Sequence, residues 1–221
     1  MAINFITILF FLPLLAINVN AQGPVTYDIT KYGAKPGADI SQALMDAWKE
    51  ASNSTSPSII VIPRGTWSLS QVKLIGNKAP LELQVQGTVQ ANPKTGQLPN
   101  KDGEWITINY VNYFTLSGGG VFDGQGQEAW KQNDCHKNRN CAKLPMEMIA
   151  SQLDETKEVR IQNVTCGPGH GISVGSLGGY AEEKDVQGIY VKNCTFIGTK
   201  WRQGENLALC PGTVDCLRFA F

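Results

Sequence analysis

The sequence predicts an all-β fold, a parallel β-solenoid, and three observations carry that prediction. Short apolar-rich runs recur from residue 58 onward, with Gly and Asn at the corners between them. Two runs superimpose: "VRIQNVT" at 159–165 matches "IYVKNCT" at 189–195, thirty positions later. With 23 Gly and 11 Pro in 221 residues, composition favours strands and turns over helices. A repeat of this order reads as stacked coils that bury their apolar faces against their neighbours. A β-sandwich is the rival; it should show hairpin turns, and only the "DG" pairs at Asp102 and Asp123 offer two-residue ones.

The elements follow in chain order. "FITILFFLPLLAI" (5–17) is apolar, carries a Pro and is too short to span a bilayer. Val19 and Ala21 then supply small residues at the −3 and −1 positions of a signal-peptidase site. No Lys or Arg precedes them, so the α-amine supplies the positive charge. Residues 1–21 therefore read as a signal peptide, with a buried core helix as the alternative, and the mature secreted chain starts near Gln22.

"DISQALMDAWKEA" (39–51) is the one mature helix predicted, because Ile40, Ala43, Leu44, Ala47 and Trp48 fall at helical spacing. It is expected to cap the first coil. Strand-rich runs start near Ser58, Leu81, Trp105, Phe114, Val159, Gly171 and Ile189.

Charge is balanced, 19 basic against 19 acidic residues, so no field argues for nucleic acid or an anionic membrane. A monomer is expected. Six cysteines in a secreted chain suggest disulfides, and Cys135 and Cys141 are close enough in sequence to close a small loop. No Cys/His cluster has zinc spacing, and His136 reads as a solvated loop residue. Asn53, Asn163 and Asn193 each open a sequon. The latter two read equally as buried hydrogen-bonding residues at strand ends.

"TYDITKYGAKPGADISQALMDAWKEA", "GVFDGQGQEAW", "NDCHKNRNCAKLP" and above all "NVTCGPGHGISVGSLG" resemble plant polygalacturonases, nearest the pollen-type exopolygalacturonases. The match covers about residues 25–145 and 154–198. The resemblance implies a right-handed parallel β-helix, secretion to the cell wall, and metal-free inverting hydrolysis of α-1,4 bonds in polygalacturonate. No cofactor is implied. Such chemistry needs one protonated carboxyl for the leaving oxygen and a second carboxylate to activate water, about 6.5–9.5 Å apart. In the family these come from an Asn-Thr-Asp segment and an Asp-Asp pair. The resemblance makes His170 the active-site histidine, keeping the acid's protonation state and orientation. Its neighbours Gly169 and Gly171 let sugar and backbone approach.

The acids themselves are missing. The chain has no Asn-Thr-Asp and no Asp-Asp pair, and "LPMEMIASQLDETKEV" runs directly into the strand before His170. Asp154 and Glu155 read as a solvated turn pair; Asp123 and Asp134 hold positions the family uses structurally. The domain is therefore expected to span 22–198 with internal coils lost.

From about 199 to 221 the tail departs as well. The family continues with an Asn-Gly-Val-Arg-Ile-Lys-Thr-Trp-Pro type of segment, where this chain has "KWRQGENLA" (200–208). Synonymous codons for 199–208, read one nucleotide later, permit Asn-Gly-Val-Arg-Val-Lys-Thr-Trp-Pro in order. The same shift lets "CLRFAF" (216–221) read as Ala-Ser-Asp-Leu-His-Phe. The tail thus reads as frame-shifted translation, irregular, with Cys210 and Cys216 accidental.

Three functions are compatible with these residues. One is a polygalacturonase-family hydrolase of pectin with an incomplete catalytic set. The second is a non-catalytic pectin-binding wall protein, which needs basic or aromatic residues aligned on one face. The third is a pectate-lyase-like solenoid, which needs Ca²⁺-binding aspartates and an Arg base, and no such cluster is present. The first fits family and substrate best.

Overall fold

The computed structural model describes residues 23–92, 105–127, 131, 137–138, 149–151, 157–168, 172–174, 187–198 and 214–220. In chain order the strands are β1 (Val25–Asp28), β2 (Ser58–Ile62), β3 (Thr66–Leu69), β4 (Val72–Ile75), β5 (Leu81–Val85), β6 (Thr88–Ala91), β7 (Ile106–Asn109) and β8 (Asn112–Ser117). There follow β9 (Val121–Asp123), β10 (Ile149–Ser151), β11 (Lys157–Gln162), β12 (Thr165–Cys166), β13 (Ile172–Val174), β14 (Gln187–Phe196) and β15 (Val214–Ala220). A 3₁₀ turn (Ile29–Tyr32) and helix α1 (Ser41–Asn53) lie between β1 and β2.

These strands wind as a parallel β-helix. One ladder runs β1-β2-β5-β8-β11-β14, a second runs β3-β6-β9-β12-β14, and a third, four-stranded sheet runs β4-β7-β10-β13. The ten-residue β14 joins the first two, its start pairing β11 and its end pairing β12. The thirty-residue offset seen in sequence is the register of this stack: Val159 lies opposite Ile189, and Thr165 opposite Thr195.

Alternation builds the core. Ile60, Leu83, Leu116, Ile161 and Val191 form one continuous inward row, every member buried. Trp67, Val89, Phe122 and Cys166 form another from the second ladder. Such rows interlock only because successive coils present apolar residues at the same rung. Backbones approach so closely at one corner that only glycine fits: a Cβ on Gly120 would lie 2.5 Å from the Val85 carbonyl oxygen.

Helix α1 covers the first coil, as its spacing predicted, and it starts two residues later than expected. Ala43, Leu44, Ala47, Trp48 and Ala51 form its buried face. The Trp48 indole N–H donates to the Ile75 carbonyl at 3.2 Å, and its ring meets Phe114 at 5.8 Å between centroids. At the other end the Asp39 carboxylate accepts from the Ser41 N–H and from the hydroxyls of Ser41 and Ser70.

Three expectations need correcting or completing. The tail is not irregular throughout, because β15 pairs antiparallel with β14, with register shifts at three places. An open solenoid edge is a row of unpaired N–H and C=O groups, and even a poorly matched segment pairs there. Cys166 and Cys194, for which a secreted chain suggested disulfides, are free buried thiols. The register explains it: Cys166 lies opposite Phe196, not opposite Cys194. Asn163 and Asn193 are exposed rather than buried, yet bonded to each other at 2.7 Å. Cys135, Cys141 and His136 lie outside the described residues.

Candidate active site

The segment that carries the sequence signature is anchored on both flanks. Upstream, the Gly167 N–H donates to the Phe122 carbonyl at 3.0 Å, and Gly126 N–H donates to the Pro168 carbonyl at 3.2 Å. Gly167 sits at φ +128°, and a Cβ there would lie 1.9 Å from the Ile197 carbonyl oxygen. Downstream, Ile172 is buried and pairs with Ile149, opening β13. Between Pro168 and Ile172 the chain passes from the second ladder to the four-stranded sheet. Gly169, His170 and Gly171 lie in that passage and outside the described residues.

The four-stranded sheet is the surface next to this passage. Val72, Leu74, Ile106 and Ile108 point inward and are buried. One rung holds Lys73, Thr107, Ala150 and Ser173 in register, and Ile75 pairs with Asn109. Asn109 is buried, and its Oδ1 has no hydrogen-bond partner among the described residues. The four strands read "VKLI", "ITIN", "IAS" and "ISV", so no carboxylate stands on any of them.

The remaining acids do other work or lie elsewhere. Asp123 accepts from Gln90 Nε2 at 3.1 Å and from the Gln125 N–H at 3.0 Å. Asp134, Asp154 and Glu155 lie outside the described residues. Among the described residues no three His, Cys, Asp or Glu side chains gather as a metal ion would require. Burial raises the thiols of Cys166 and Cys194 above the ordinary range, Cys166 the more strongly, which disfavours the reactive thiolate.

The coils close up without a seam where the sequence suggested a loss. Phe114 of β8 lies opposite Val159 of β11, Val121 of β9 opposite Thr165 of β12, and Thr107 of β7 opposite Ala150 of β10. The Asn112 side chain seals this junction by accepting the Lys157 N–H at 3.0 Å.

Comparison with known proteins gives these observations a family. The description "Glycosyl hydrolases family 28" matches in two pieces, residues 52–159 and 152–202. The break falls immediately before or within β11, at the junction just described. A tobacco (Nicotiana tabacum) polygalacturonase is 38% identical, aligned over 87% of this chain and 66% of its own length. A Gossypium barbadense polygalacturonase is 33% identical over 95% and 69%. An Oenothera organensis exopolygalacturonase is 35% identical over 73% and 64%.

The chain thus spans about two thirds of the length of the curated relatives it matches. The tobacco alignment has 268 positions, while 87% of 221 residues is about 192, so roughly 76 positions face a gap in this chain. The same arithmetic gives roughly 74 for the cotton relative, from 284 positions and 95%. A solved structure from Parabacteroides merdae superimposes with TM-score 0.51 at 13% identity, covering 79% of this chain and 75% of that one, a likeness of fold alone. Family match, relatives and fold agree on both sides of the junction: the chain belongs to glycosyl hydrolases family 28.

Proposed function

We propose that this chain is a secreted polygalacturonase scaffold, and that it has lost the coils carrying the catalytic carboxylates. In the complete form it hydrolyses α-1,4-galacturonosyl bonds of pectin with inversion. Two observations carry this reading: roughly 75 aligned positions of the relatives have no counterpart in this chain, and the family match breaks in two at 152–159, where the adjoining four-stranded sheet carries no acid. At the 23-residue spacing from Ser58 to Leu81, that gap is worth about three coils.

His170 keeps its place between Gly169 and Gly171 on this reading. In the complete enzyme it hydrogen-bonds the carboxyl that protonates the leaving oxygen, and the flanking glycines leave room for the sugar. A single imidazole cannot also activate water on the opposite face of the ring. Residues 1–21 direct the chain into the secretory pathway and so to the cell wall, where it acts as a monomer on a polysaccharide, with neither nucleic acid nor membrane as partner. No helix among the described residues is long and apolar enough to cross a membrane. Residues from about 199 are the product of a shifted frame, and the family match ends at 202. Reducing ends released from polygalacturonate, by this chain and by one with the missing segment and frame restored, test the reading.

A further inference from the structure

One corner of the solenoid carries bulky residues in left-handed backbone angles. The chain turns there from β4 into β5 and from β7 into β8, and enters β11. Gly76, Tyr110, Tyr113, Glu158 and Gly188 all take left-handed backbone angles, with φ between 53° and 72°. Register stacks Gly76 beside Tyr110, because Ile75 pairs with Asn109. It also stacks Tyr113 beside Glu158 and Glu158 beside Gly188, because Lys157 pairs with both Asn112 and Gln187. Glycine occupies such a position freely, whereas a bulky side chain there is an outlier that persists against strain.

Burial does not explain the two tyrosines. Tyr110 is 48% exposed and Tyr113 is 56% exposed. The backbone beneath them is tightly held: Asn77 Nδ2 donates to the Asn112 carbonyl at 2.6 Å, and the Asn112 N–H returns to Asn77 Oδ1 at 2.8 Å. Two exposed lysines belong to the same corner by sequence and register, Lys78 next to Asn77 and Lys157 paired with Asn112. Glu158, the acid at the same corner, is held by Arg160 at 3.0 Å.

A rigid ledge with two exposed rings and two ammonium groups matches an acidic polysaccharide. Flat aromatic faces take the C–H faces of pyranose rings, and ammonium groups take the carboxylates. We propose that Tyr110, Tyr113, Lys78 and Lys157 form an accessory binding strip for polygalacturonate. It rests on the substrate class assigned above and adds residues that neither the histidine signature nor the missing carboxylates include.

The test is affinity electrophoresis of the full chain through gels containing polygalacturonate, with divalent ions chelated. Asparagine tolerates left-handed angles, so Tyr110→Asn/Tyr113→Asn keeps the fold while removing the rings. That pair should weaken binding about tenfold without lowering the thermal midpoint, and Lys78→Gln/Lys157→Gln should weaken it to a similar degree. With fully methyl-esterified pectin, the lysine effect should vanish and the tyrosine effect remain.

Wild-type binding that both double variants retain overturns the strip and leaves the substrate reading standing. A tyrosine variant that melts early, with the lysine variant binding normally, also overturns it, by assigning the rings to stability. No binding by the wild type overturns the strip as well, and hydrolysis by the restored chain then decides the substrate class on its own.

Discussion

The side-chain oxygen of Asn112 accepts the backbone N–H of Lys157 at 3.0 Å, across 45 residues of sequence. Asn112 is itself gripped by Asn77, whose amide donates to the carbonyls of Ala79 and Asn112 at 2.7 and 2.6 Å and accepts the Asn112 N–H at 2.8 Å. Three coils are thus tied at one corner by two asparagines. The lower tie joins coils close in sequence, and the upper one spans the junction where the family match falls into two pieces. A coil of this fold presents the same backbone groups at the same place whichever neighbour follows it.

Asn77→Ala should therefore cost more than Asn112→Ala. The first removes three partly buried hydrogen bonds, worth about 2–3 kcal/mol at ~1 kcal/mol each, and the second only one, about 1 kcal/mol. Urea midpoints of both variants check the order. Equal effects would mean that the junction bond matters as much as the older tie.

The same regularity explains what was legible in sequence. The Val159 and Ile189 runs match because their residues stack on the same rungs of adjacent coils. Strands β2, β5, β7, β8, β11, β13 and β14 each carry enough apolar residues to stand out. β1 reads "VTYD", with its first two residues exposed, and a short strand that buries little shows little periodicity. Left-handed tyrosines were not legible, since only Gly and Asn announce such angles locally. The tail strand was missed for a different reason: an open edge recruits it, not its own pattern.

Asp39 sets an acid limit on the capping helix. Burial raises its affinity for protons, but hydrogen bonds from Ser41 and Ser70 outweigh this and hold its carboxyl below the usual range. A folded-state value below the unfolded one means that the contribution is present above about pH 4 and is lost as pH falls through the folded value. Asp39→Asn should flatten the dependence of the thermal midpoint on pH below about 4, relative to the parent. An unchanged acid profile would place the acid sensitivity elsewhere.

Gly167 should tolerate no side chain. Its φ of +128° and the 1.9 Å approach of a Cβ to the Ile197 carbonyl combine strain with a backbone clash. Gly167→Ala is expected to cost more than about 3 kcal/mol. The thermal midpoint should then fall by roughly 6 °C or more for a domain of this size. Gly119 is the control: it has φ +75° but open space around its Cβ position, so Gly119→Asn should be mild.

The shifted frame can be read directly from nucleotides. The coding sequence after Thr199, taken one base later, should give Asn-Gly-Val-Arg-Val-Lys-Thr-Trp-Pro or a close variant. The shifts in the β14–β15 register are what such a tail would produce. A +1 reading with no family-like peptide would remove this explanation and leave the tail as a genuine divergence.

Activity is the sharpest expectation. The chain as written should release reducing ends from polygalacturonate at a negligible rate although it keeps His170. A positioned general acid or base contributes about 10²–10⁴-fold each, and strands β4, β7, β10 and β13 supply neither. Inserting the relatives' missing segment ahead of Lys157 and restoring the frame should recover turnover together. Restoring the frame alone should not, because substrate carboxylates would then be held without an acid to protonate the leaving oxygen. In the restored chain, His170→Ala should lower kcat and alter the acidic limb of the pH profile, since the histidine acts through the carboxyl it orients. Comparable rates from the unrestored and restored chains would show that the carboxylates were never in the missing coils.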